Sequence, residues 1–156
     1  MSKAIGFRKF TLFVIFYLFA SLTVYLATSF SSPTWIIAFF TLLPFYGICL
    51  ISISWVTLKN RNAKVKYFKV LLLPILVLQI LKILFSPASC YGWNQGKSCY
   101  SLIQSIFSTE NLRTLSSTPP HWEIVESLFP IVLVLYIISL ATFLLLIRIQ
   151  KNPTVP

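Results

Sequence analysis

The sequence predicts an all-α polytopic membrane protein: a four-helix transmembrane bundle with both termini cytoplasmic and a far-side loop carrying a short amphipathic helix. Three observations predict it. Of the 156 residues 57% are hydrophobic and only 10% are charged, where a soluble domain carries roughly 25% charged residues. Four apolar runs are each about 20 residues long, enough to cross roughly 30 Å of hydrocarbon at about 1.5 Å per residue. The basic residues collect at the ends of those runs on alternate connections, the positive-inside pattern. The chain therefore reads as a single integral membrane domain over 1–156, with lipid as its solvent.

Helix 1 is predicted at about 10–30, where FTLFVIFYLFASLTVYLATSF carries no charge. Its apolar stretch exceeds the roughly 7–15 residues of a signal peptide, and bulky Tyr25 precedes the small residue Ala27, so it reads as an uncleaved anchor. Ser31, Ser32, Pro33 and Thr34 form a polar turn, with Pro33 stopping the helix by its missing N–H. Helix 2 is predicted at about 35–58. Trp35 and Trp55 lie twenty positions apart, about 30 Å along a helix, which places both indoles at headgroup level as interfacial anchors.

The connection KNRNAKVKYFK, from Lys59 to Lys69, has no acidic residue and carries the strongest orientation signal. Helix 3 is predicted at about 67–86, with Lys69 snorkelling toward one interface and Lys82 toward the other. Helix 4 is predicted at about 127–149. Pro44, Pro74 and Pro130 fall inside these spans and predict local kinks. The presumed cytoplasmic segments hold Lys3, Arg8, Lys9, Lys59, Arg61, Lys64, Lys66, Lys69, Arg148 and Lys151, ten of the thirteen basic residues. The far side holds Lys97 and Arg113, boundary Lys82, and all three acids, Glu110, Glu123 and Glu126. Although the net charge is +10, this placement argues for topology determinants that touch anionic headgroups and against nucleic acid.

The loop 87–126 holds two of the three cysteines, two of the four tryptophans and the single histidine. In SCYGWNQGKSCY, Cys90 and Cys99 are separated by eight residues with Gly92 and Gly96 between them, and in an oxidising compartment such a pair predicts a disulfide. Free thiols, or a metal or redox site, are the competing readings; zinc needs two further ligands and CxxC spacing is missing. Leu102, Ile103, Ile106 and Phe107 recur at helical spacing and predict the short amphipathic helix. Thr118, Pro119 and Pro120 resemble a helix start, with Glu123 in the first turn. His121 reads as a polar residue at the water boundary rather than a pigment, haem or metal ligand, and Trp122 as a third interfacial anchor. Cys49, inside helix 2, reads as a small packing residue.

The predicted spans contain no Asp or Glu, which argues against a proton- or sodium-coupled transporter. Gln79 is the most polar residue deep in helix 3 and is expected to bond across the bundle. Lys82 and Glu126 are expected to form an interhelical ion pair near the far side. No P-loop, dinucleotide fingerprint, HExxH or GxSxG motif is present, and the chain has no Asp for a Ser-His-Asp triad. The expectation is a non-enzymatic protein with no catalytic residues, cofactor or metal, an accessory or assembly subunit of a larger membrane complex whose partners are the lipid bilayer and other membrane subunits. The alternatives are a small oligomeric channel or transporter and, third, a thiol-redox or cofactor-binding protein. A bacterial inner, plasma or photosynthetic membrane fits, with loop 87–126 on the non-cytoplasmic side. A stripe of small residues, Ala20, Thr23 and Ala27, permits close helix approach on helix 1.

Overall fold

The computed structural model describes residues 2–29, 31–60, 63–89, 99–107 and 122–150. Strand β1 (Ser2–Gly6) leads directly into α1 (Phe7–Thr28). Helix α2 covers Ser32–Lys59, and after β2 (Lys64–Phe68) and a 3₁₀ turn (Lys69–Leu71) the chain enters α3 (Leu72–Leu84). Then follow β3 (Pro87–Ser89), β4 (Tyr100–Ser101), α4 (Leu102–Phe107), α5 (Glu123–Leu145) and β5 (Arg148–Gln150). The molecule is mostly helical, and α1, α2 and α5 are long and apolar enough to cross a membrane.

Each long helix buries one stripe and exposes the rest. In α1 the buried residues are Phe7, Phe10, Thr11, Val14, Leu18, Ser21 and Tyr25, at the three- and four-residue spacing of one helical face. Phe16 and Phe19, on the other side, are 72% and 71% exposed. A surface so apolar is matched to hydrocarbon rather than to water. Of the predicted small-residue stripe, Thr23 and Ala27 lie on this outward side, whereas Ala20 is half-buried.

The turn after α1 does more than stop a helix. Ser31 caps α2, its Oγ accepting from the Thr34 N–H at 3.4 Å, and Pro33 occupies the first turn where an N–H has no partner to lose. The three prolines predicted as kinks behave differently from one another. Ahead of Pro44 the helix widens into a π turn over Ala38–Leu42, with the Leu43 N–H donating to the Ala38 carbonyl, which accommodates the proline without ending the helix. Pro74 is the third residue of α3 and breaks nothing, because first-turn N–H groups have no intrahelical partner. Pro130 sits inside α5, in a helix with no π turn ahead of it.

The predicted helix 3 is the largest departure. Instead of a helix from Tyr67, residues 64–68 form a strand whose two neighbours are β1 and β5, giving an antiparallel sheet in the order β1-β2-β5. In KVKYF, Lys64 and Lys66 are exposed and Val65 is buried, a period of two that suits a strand with one covered face. Tyr67 joins the sheet to the helices, its ring 5.8 Å from Phe10 and 6.3 Å from Phe143. The Phe7 N–H also donates to the Ala63 carbonyl at 3.1 Å. The sheet therefore gathers the chain before α1, the connection between α2 and α3, and the chain after α5 at one end of the molecule. For the same reason the last span ends at Leu145 rather than about 149: residues 148–150 belong to the sheet.

At the opposite end Pro87 meets the α1–α2 turn. Its carbonyl accepts from Thr34 Oγ1 at 2.7 Å and from Ser31 Oγ, while Ser29 and Ser86 pair at 2.6 Å through their hydroxyls. The predicted short helix of the loop is present as α4. Its buried residue is Gln104, whereas Ile106 and Phe107 are 60% and 67% exposed.

Candidate functional site

The centre of the molecule holds the one concentration of polar groups among the described residues that joins all four principal helices. Ser21 lies on α1, Tyr46 on α2, Gln79 and Lys82 on α3, and Tyr136 on α5. Lys82 is completely buried. Its Nζ donates to Ser21 Oγ and to Tyr46 OH, both at 3.3 Å. The ammonium also lies 4.2 Å from the ring centroid of Tyr136, 5.2 Å from Tyr25 and 5.9 Å from Tyr46. Electron-rich ring faces attract a cation most strongly where water is absent, by about 2 kcal/mol each in favourable cases.

Helix direction explains why these groups converge. In every α-helix the Cα–Cβ bonds tilt toward the N-terminus. Helix α3 starts at the sheet end, so Lys82 leans from its last turn back toward the middle of the bundle. Helices α2 and α5 start at the opposite end, so Tyr46 and Tyr136 lean the other way and meet the ammonium. An outward snorkel would run against the tilt of its own Cα–Cβ bond.

One arrangement of protons satisfies the cluster. Ser21 Oγ donates to Gln79 Oε1 at 2.9 Å, so it accepts from Lys82 and from Tyr46, 2.7 Å away. Tyr46 then accepts from Tyr136 at 2.9 Å, and Tyr136 accepts from Tyr17 at 3.3 Å. Each hydroxyl donates once, from Tyr17 through Tyr136 and Tyr46 to Ser21 and the Gln79 carbonyl. The hydroxyls of this chain are thus spent on one another and on the Gln79 carbonyl. Tyr25 takes part only through its ring; its buried hydroxyl has no hydrogen-bond partner among the described residues.

The residues singled out from sequence fall as follows. Gln79 bonds across the bundle as expected, to Ser21. Lys82 departs from expectation: it is interior rather than at an interface, and hydroxyls and rings, not the Glu126 carboxylate, surround its Nζ. Glu126, in the first turn of α5, lines a cavity of about 250 Å³ with Pro33, Phe85, Pro87, Cys99 and Phe129. Trp35 and Trp122 are 39% and 42% exposed, Trp55 is 65% exposed, and Lys59 Nζ lies 5.6 Å from the Trp55 ring centroid. Cys49 is a free, buried thiol. The Cys90–Cys99 pairing, His121 and the Thr118–Pro120 helix start involve residues outside those described. Gln104, not singled out, fastens α4 to the start of α5 by accepting from the Trp122 N–H at 3.1 Å.

Sequence reading missed Ser21, Tyr46 and Tyr136, although a signal existed. Tyrosine favours membrane interfaces, yet Tyr17, Tyr46 and Tyr136 fall well inside apolar runs. Mid-span tyrosines call for interior hydrogen-bond partners.

No family model matches the chain, and no curated protein or solved structure is significantly similar to it. The functional reading therefore rests on the geometry alone.

Proposed function

We propose that this chain is a non-enzymatic membrane scaffold of four spans, acting as an accessory or assembly subunit of a larger membrane complex. The observation that carries the reading is the Lys82 cluster. Each of the four helices contributes to it, and its hydroxyls donate and accept in one continuous chain, so in this reading the polar interior specifies how the helices pack rather than lining a path for solute. In this reading α3 is the fourth span, its thirteen residues and the preceding 3₁₀ turn covering roughly 26 Å. The basic sheet end faces the cytoplasm, so that both termini do, and loop 87–126 enters the non-cytoplasmic space with Cys90 and Cys99 joined as a disulfide. The outward residues of the small-residue stripe on α1, Thr23 and Ala27, are where a partner helix can approach closely.

The test is affinity purification of the full chain from native membranes in mild detergent, with crosslinking and mass spectrometry. Fixed membrane partners at constant stoichiometry are the expected result. A chain that migrates alone and yields no crosslinked neighbour overturns the subunit reading.

A second reading, a small oligomeric channel or transporter, is favoured by one observation: a buried cation held only by hydroxyls and aromatic rings is suited to a passing anion. Anion flux into vesicles containing the purified chain, lost in Lys82→Met, would establish it over the scaffold reading.

A further inference from the structure

From the Lys82 cluster toward the end opposite the sheet, two polar ridges face each other. On α1, Ser21, Tyr25 and, just past its end, Ser29 recur every fourth residue; on α3, Gln79, Lys82 and, just past its end, Ser86 recur three and four apart. Both helices start at the sheet end, so the ridges meet in register. Ser21 Oγ donates to Gln79 Oε1 at 2.9 Å and accepts from Lys82 Nζ at 3.3 Å, the Tyr25 ring lies 5.2 Å from the ammonium, and the Ser29 and Ser86 hydroxyls pair at 2.6 Å. The seam runs about 12 Å along α1 and is buried throughout. At its outer end lies a cavity of about 250 Å³ whose lining includes Pro33, Phe85 and Pro87, the chain neighbours of Thr34 and Ser86. In the other direction the same faces turn apolar. They continue as Leu18, Val14 and Ile75, closed in by Ile53, Leu140 and Phe143, all buried. Thr11 and Thr57, farther toward the sheet, bond to each other at 2.6 Å and to carbonyls of their own helices.

Tyr25 decides what the seam holds. Its side chain is 0% exposed, and its hydroxyl, turned toward Thr34, has no hydrogen-bond partner among the described residues. A buried hydroxyl left dry forfeits the bond it makes in water, so a site lined by hydroxyls and joined to a cavity takes up water. We propose that the seam is a one-sided water path. Water from the space opposite the sheet passes Ser29 and Ser86, is held at the Tyr25 hydroxyl and reaches the Lys82 ammonium, while the apolar layer closes the sheet side. Lys82 therefore exchanges its protons with one compartment only. The titratable side chains facing its Nζ are Tyr25 on α1, Tyr46 on α2 and Tyr136 on α5, with no acid or histidine in contact among the described residues. The inference rests on the membrane reading of the chain but on neither the subunit nor the channel reading, because a path closed at one end moves no solute across. Water labelling and partner recovery thus fail independently.

Radiolysis of the unsubstituted full chain in lipid nanodiscs, in water carrying heavy oxygen, oxidises a buried side chain only where water lies against it. Tyr25 is expected to gain labelled oxygen at least tenfold faster than Phe10 and Phe143, buried rings on the sheet side of the cluster. Ser29→Val with Ser86→Val, which replaces both hydroxyls by methyl groups and fills the seam, should cut Tyr25 labelling about tenfold. Thr11→Val with Thr57→Val, the same loss of two hydroxyls at the sheet end, should leave it unchanged. Sidedness is read in sealed vesicles with silver ions, each thiol followed by peptide mass. Ser21→Cys and Ser86→Cys should react at least tenfold faster when silver is added opposite the sheet than when it is added at the sheet side, and Val14→Cys from neither. Tyr25 labelled no faster than Phe143 overturns the proposal, as does labelling that survives Ser29→Val with Ser86→Val. Equal reaction of Ser21→Cys from both sides, or reaction at Val14→Cys, overturns it in favour of a path through the whole bundle.

Discussion

Lys82 shows how much a single side chain can organise when water is excluded. Its ammonium is costly to bury, and three ring faces, two hydroxyl acceptors and a chain of further hydroxyls offset that cost without a carboxylate. Because replacing a buried charge by an apolar group of similar length is often neutral or stabilising, Lys82→Met should keep the bundle folded, with a thermal midpoint in detergent equal to or above that of the parent. Tyr136→Phe should lower stability by about 1 kcal/mol, since Tyr46 keeps its other partners but Tyr17 loses its acceptor, and interhelical hydrogen bonds in membranes are worth about 0.6 kcal/mol on average. Intrinsic tryptophan fluorescence during heating measures both. A collapse of the Lys82→Met protein would show that the cation, and not packing volume, holds the helices in place.

At the scale of elements, β2 carries the organising role that the sequence reading assigned to the start of a helix. It is the central strand of the sheet, so both β1 and β5 depend on its backbone groups. Val65→Pro removes a ladder donor and the covered side chain together. The expected result is faster amide exchange across Ser2–Gly6 and Arg148–Gln150, with exchange in the middle of α1 and α5 unchanged. If those two strands stay protected, the sheet does not depend on β2. The cap of α2 is a separate and smaller matter. Ser31→Ala loses the cap and one bond to the Pro87 carbonyl, and should destabilise by roughly 1–2 kcal/mol in the same thermal measurement.

For the whole molecule, sheet and serine cluster define two chemically opposite ends. Arg8, Lys9, Lys59, Lys64, Lys66 and Arg148 cluster at one, and Glu123 and Glu126 at the other. In the proposed orientation, a cysteine placed at Lys3 in a Cys49→Ser background is labelled by an impermeant maleimide only after the cytoplasmic face is opened. Intact-mass measurement without reductant should meanwhile find the protein two hydrogens lighter than its reduced form, from the Cys90–Cys99 bond. Labelling at Lys3 from the outer face reverses the orientation, and an unshifted mass removes the disulfide. Composition and run length were enough to read a mostly helical chain and the approximate position of three helices long and apolar enough to cross a membrane, because each sums residue properties over many positions and tolerates errors at the ends. The strand at 64–68, the π turn before Pro44 and the meeting of Ser21, Tyr46, Gln79, Lys82 and Tyr136 were not readable in that way. A five-residue strand exists only when partners distant in sequence supply its hydrogen bonds, and the direction in which Lys82 leans matters only once three other helices stand around it. Hydropathy settles which segments leave water; contacts between segments settle what their few polar atoms do there.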